Sequence, residues 1–197
     1  MVETITPVVH GGRNRRYWIS VVLHVVATTL TAAAFGGLLG GIGFLARAPW
    51  GPVGRALVVG IALLYAAREL FGVRVPVPDR HRQVPEWWRT FYPPPVAATL
   101  YGIGLGVGFL TFLSFGTFVA VSVGAFLTAD PARGALIVGP FGLARGLSVI
   151  LAAGARDQEA ASELVDRVQA LAEGRAARLV NGCALLAVAL VAGAGTI

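Results

Sequence analysis

From Tyr17 to Ala46 the chain runs for thirty residues without an Asp, Glu, Lys or Arg. At about 1.5 Å per residue a helix of that length extends about 45 Å, against about 30 Å of bilayer hydrocarbon. Such a helix must tilt, protrude, or break near Gly36 and Gly37. A cleaved leader carries an apolar core of only about 7–15 residues. The run is twice that and follows Arg13, Arg15 and Arg16, so it reads as a membrane anchor.

Four more apolar stretches follow, at about 54–72, 95–127, 133–154 and 177–197. The turns "PWGP" (49–52) and "ADPARG" (129–134) carry the Pro and Gly content of tight connections. Charged residues make up 13% of the chain and its mean hydropathy is +0.73, where a soluble domain carries about 25% charge. The expected fold is therefore all-α: a polytopic integral membrane protein with five transmembrane helices. Residues 1–16 form a cytoplasmic arm and 17–197 a single membrane domain.

All 16 basic residues are Arg, which with the abundant Gly and Ala looks like high-GC bacterial coding. Arg13, Arg15 and Arg16 lie before the first span. Arg74, Arg80, Arg82 and Arg89 follow the second, and Arg156, Arg167, Arg175 and Arg178 follow the fourth. The opposite loops hold only Arg47, Arg55 and Arg133. Basic loops stay in the cytoplasm, so the N-terminus is expected inside and the C-terminus outside, as in a multi-pass protein of the bacterial inner membrane. The net charge of +6 is accounted for by this asymmetry and implies no nucleic acid partner.

"PEWWRTFYPPP" (85–95) places Trp87, Trp88, Phe91 and Tyr92 just before the third span, an aromatic belt suited to the membrane–water boundary. Stacking of a substrate on the Trp pair is the alternative. In 157–176, Leu164, Val168 and Leu171 recur at helical spacing between charged residues. This predicts an amphipathic helix on the cytoplasmic surface, or a helix that docks a partner. "GPVGRALVVG" (51–60) and "DPARGALIVG" (130–139) align without gaps, a likeness of the kind that transporter repeats show.

The polar residues are few. Cys183 is the only cysteine, which excludes an internal disulfide, and it reads as a small buried residue. His10, His24 and His81 are scattered, so neither a metal nor another cofactor is expected. "YGIGLGVG" (101–108) lacks the spacing and the preceding strand of a nucleotide fingerprint. Its Gly104/Gly108 pair, like Gly142/Gly146, suits close helix packing, within a bundle or toward a homodimer or another membrane protein. Thr111 and Ser114 interrupt the third span, with Thr117 and Ser122 nearby. They either bond their own preceding turn or line a polar cavity.

Arg145 stands in the middle of the fourth span, where an Arg costs roughly 2.5–3.5 kcal/mol on insertion scales and faces protein or water. Glu69 is the only acid within the spans, which makes it the natural counter-ion. Arg68 and His24 fall in the same half of the bilayer. Together with Thr111 and Ser114 they form the candidate substrate or ion site. Pro140 is expected to open the helix just before Arg145.

The stretch 100–154, "LYGIGLGVGFLTFLSFGTFVAVSVGAFLTADPARGALIVGPFGLARGLSVILAAG", resembles the second half of the thiol–disulfide interchange membrane domains of the DsbD/CcdA type. The resemblance implies a Gly-rich helical scaffold of the alternating-access kind. That family's intramembrane cysteine pair is missing, so its redox activity does not carry over. The expected function is a small membrane carrier or permease with a polar site around Arg145. The alternative is a non-transporting accessory or scaffold protein related to the DsbD/CcdA-type domains. No nucleophile–base set marks an enzyme.

Overall fold

The computed structural model describes residues 5–7, 9–12, 14–76, 87–108, 116–155 and 157–195, and helix is the only regular structure among them. The helices are α1 (Arg15–Leu45), α2 (Pro52–Phe71), α3 (Trp87–Phe91), α4 (Pro94–Gly106), α5 (Thr117–Leu127), α6 (Pro131–Leu147), α7 (Gln158–Glu173) and α8 (Arg175–Gly193). A 3-10 stretch, Ser148–Gly154, continues α6. Polar side chains start several of them. Asn14 Oδ1 accepts the Tyr17 N–H, Asp130 Oδ1 those of Ala132 and Arg133, and Asp157 Oδ1 that of Ala160. Each satisfies first-turn donors that have no partner within the helix.

Among the described residues, three helical stretches are long and apolar enough to cross a membrane: Arg15–Leu45, Pro131–Gly154 and Arg175–Gly193. This corrects the count of five at two places. Helix α2 has 20 residues but carries Arg55, Arg68 and Glu69. The expected span 95–127 is not one helix: α4 ends after 13 residues and α5 has 11. The cause is local. Glycines at 102, 104 and 106 weaken α4, and Gly108 turns to φ 76°, a left-handed conformation that ends a helix. Helix α1, by contrast, runs unbroken through Gly36 and Gly37, and α6 continues through Pro140.

The chain forms two compact units, Met1–Ala32 with Arg80–Phe112 and Gly139–Ala170, and Ala33–Asp79 with Leu113–Val138 and Leu171–Ile197. In the first, α4 and the end of α6 lie against the first half of α1. Gly142 sits where any Cβ would overlap the Ala32 methyl and reach within 2.9 Å of the Thr28 carbonyl. At one end Ile5, Tyr17, Val21, Ala98 and Val149 form a buried cluster. The arm expected before the first span therefore folds back onto it. His10 fastens the arm, with Nδ1 2.9 Å from the Thr6 carbonyl and Nε2 2.9 Å from Ser20 Oγ.

In the second unit α2 packs on α8 and α5 through Ala62, Tyr65, Ala66, Ala120, Leu185 and Ala189. The end of α1 meets the start of α6 so closely that a Cβ on Gly36 would overlap the Gly134 carbonyl, and one on Gly134 the Gly36 carbonyl. Phe35 stacks on Phe118 with ring centroids 5.9 Å apart. Small residues let backbones approach where lipid supplies no hydrophobic drive.

These contacts set opposite signs for two glycine substitutions. Gly142→Ala should lower the stability of the purified protein by about 1–3 kcal/mol, the usual cost of overpacking. Gly60 in α2 has nothing within 4 Å of its missing Cβ, so Gly60→Ala should raise stability by about 0.5–1 kcal/mol through helix propensity. Thermal unfolding in detergent reads both, and equal shifts for the two would contradict the packing described.

Candidate functional site

Arg145, Glu69 and Arg68 lie where helices end. In the first unit, the last carbonyls of α4 lack intrahelical donors, as at any helix C-terminus. The Val107 N–H returns to the Ile103 carbonyl (3.3 Å) and the Gly108 N–H to that of Leu105 (3.2 Å). Arg145 Nη1 donates to the same Leu105 oxygen at 3.3 Å. Two lone pairs on one carbonyl accommodate both donors. The guanidinium carbon also lies 5.7 Å from the centroid of the Phe141 ring. A cation at this position faces the negative end of the α4 dipole. Arg145 is thus a C-terminal cap supplied by another helix.

In the second unit Glu69, in the last turn of α2, is buried. It forms an ion pair with Arg68. Its Oε1 also lies 3.5 Å from the N–H of Gly116, the residue before α5. A carboxylate there faces the positive end of the α5 dipole. Arg68 Nε donates to the Val75 carbonyl (3.1 Å) and Tyr65 Oη to that of Pro76 (3.0 Å). The same Tyr65 ring fills the space where Gly116 would carry a Cβ. The carboxylate that the sequence assigns to Arg145 is therefore engaged by its own neighbour and by a helix start.

His24 is fully buried in α1. Its Nδ1 lies 3.1 Å from the Ala98 carbonyl. A carbonyl only accepts, so Nδ1 carries the proton, and Nε2 is buried without a hydrogen-bond partner among the described residues. Gly142 and Gly146 face α1, Gly104 is buried in α4, and Gly108 forms the turn after it. Thr111 and Ser114 lie outside the described residues.

His24 and Arg145 belong to the first unit, Arg68 and Glu69 to the second. Thr117 Oγ1 donates to Asn181 Oδ1 at 2.8 Å, joining α5 to α8. Ser122 Oγ is buried with no partner among the described residues. Cys183, expected to be buried, is exposed on α8. The described residues hold no group of three or more His, Cys, Asp or Glu that could bind a metal ion.

Sequence reasoning missed the Leu105 carbonyl, the Gly116 N–H and Asn181. Asn181 was visible as a polar residue inside an apolar run. The two backbone groups carried no signal, because every residue has them.

The cap makes a direct prediction. Arg145→Met keeps an apolar side chain and removes the donor, which should cost about 1.5–3 kcal/mol, the range for a hydrogen bond to a charged group. Arg145→Lys should recover part of that loss, since it keeps a point charge without the planar fork. Thermal unfolding of the purified variants measures both, and a Met variant as stable as the parent would remove the capping role.

The chain is similar to proteins named for methylamine utilization. It is 34% identical over 150 residues to the methylamine utilization protein MauF of Paracoccus denitrificans, covering 75% of this chain and 54% of the relative. It is 32% identical over 151 residues to MauF of Paracoccus versutus, covering 75% and 55%. With MauF of Methylophilus methylotrophus the identity is 32% over 129 residues, covering 64% and 45%. The chain thus spans about half the length of the curated relatives it matches. No protein-family model matches it, and no solved structure does.

These findings overturn the resemblance to the DsbD/CcdA type, which rested on glycine and helix spacing in 100–154. Close-packed glycines serve helix contact in membrane bundles of many kinds, so they do not identify one. The carrier or permease reading and its DsbD/CcdA-related scaffold alternative fall with the same comparison, because the relatives are named for methylamine utilization.

Proposed function

We propose that this chain is a multi-pass protein of the bacterial cytoplasmic membrane that serves methylamine utilization. The observation that carries the reading is the match of 150 residues at 34% identity to MauF of Paracoccus denitrificans. The three apolar helices of membrane-spanning length support the location. The contacts of Arg145 and Glu69 with helix ends favour a membrane-embedded component in which polar groups help hold the fold. The host should need this gene to grow with methylamine as its only nitrogen source, and a plasmid copy should restore growth. Growth on ammonium should not change. A deletion strain that grows normally on methylamine overturns the proposal.

The orientation follows from charge. We infer it by counting α2 and the α4–α5 stretch as crossings beside the three apolar helices: eleven loop Arg then stand on one side against three on the other, which favours the N-terminus and residues 155–178 in the cytoplasm and the C-terminus outside. A reporter active only outside the cytoplasm should give signal when fused after Ile197 and none when fused after Ala170. The opposite pattern reverses the orientation.

A further inference from the structure

The aromatic cluster before α4 is absorbed neither by the fold nor by the proposed function. Trp87, Phe91 and Tyr92 are exposed, yet they are mutually packed. Trp87 lies 6.0 Å from Phe91 and 6.1 Å from Tyr92 between ring centroids. Trp88 holds the group onto α4 through an edge contact with Tyr101 at 5.8 Å. Prolines at 93, 94 and 95 stiffen the joint. A soluble surface gains nothing from an ordered, outward-facing aromatic cluster, whereas the headgroup boundary of a bilayer suits rings that are apolar in body and polar at one edge. The exposed apolar surface continues along α4 through Val96 and Ile103.

We infer that α3 and Tyr92 dock onto the lipid headgroup boundary and so fix α4 as a helix that enters the bilayer and ends inside it. The inference rests on the membrane placement proposed above. Two lengths support it independently. From Pro94 to Leu105 an α-helix rises about 17 Å, short of the roughly 30 Å of hydrocarbon. From Gly154 back to Arg145, through the 3-10 stretch and the last residues of α6, the rise is also about 17 Å. With both segments starting at the same boundary, the α4 carbonyls and the guanidinium that reaches them lie at one depth. Carbonyls ending in hydrocarbon require an internal donor, and Arg145 is that donor.

Depth-resolved fluorescence tests the docking on the full chain in phosphatidylcholine vesicles. With Trp18→Phe, Trp50→Phe and Trp88→Phe combined, Trp87 is the only emitter. It should be quenched several-fold more by lipids brominated near the glycerol end of the acyl chain than by lipids brominated near the chain terminus, and weakly by aqueous iodide. Loss of the same shallow component from the parent on Trp87→Phe alone gives a second reading with one conservative change. Strong iodide quenching without lipid quenching overturns the docking, as does deeper bromine quenching more. A chain keeping only Trp18 separates the two failures. Lipid quenching of Trp18 but not Trp87 removes the docking alone, and quenching of neither removes the membrane placement as well.

Discussion

A peptide carbonyl in hydrocarbon has no water to bond, and on the membrane placement proposed above several features of this chain answer that constraint. A complete helix meets it with its own ladder. A helix that stops short exposes up to four carbonyls at one end and four N–H groups at the other. The chain stops α4 at Gly106 and starts α5 after Gly116. At the first of these ends stands a cation and at the second a carboxylate, each matched to the local sign of the helix dipole. The ionised residues that looked like a binding site are in this sense part of the backbone's own hydrogen bonding.

Glycine sets how near the helices come. Where Gly36 meets Gly134 and where Gly142 meets α1, backbone touches backbone and leaves no volume for a side chain. Dispersion between such surfaces is individually weak and collectively large. It operates equally well against lipid, where burial of apolar groups gives no advantage. Leu30 and Leu38 on α1 and Val180 and Leu190 on α8 are exposed, as the proposed membrane placement requires.

Much of the helix layout was legible in the sequence. Pro52 and Pro131 begin α2 and α6 within two residues of the expected starts, and the amphipathic stretch 157–176 is α7. The third apolar run was read as continuous because hydropathy registers side chains and is blind to a backbone angle such as that of Gly108. The carbonyl that Arg145 meets went unseen for a related reason. A search for a counter-charge can find only side chains, so it settled on Glu69, the one acid available. A carbonyl at a helix end is chemically sufficient, and it becomes visible only when the end is located. Arg68, one of the six residues of the candidate site, is adjacent to Glu69 in sequence and forms an ion pair with it.

The folded-back N-terminal turn bears on the order in which the molecule is completed. Ile5 and Tyr17 are buried against Ala98 and Val149, residues that leave the ribosome long after them. At synthesis rates of roughly 5–20 residues per second, Ile5 and Tyr17 wait several seconds for the surfaces they will cover. Ile5 and Tyr17 thus settle after residues made long after them, and the His10–Ser20 contact can hold Ile5 near α1 throughout that interval.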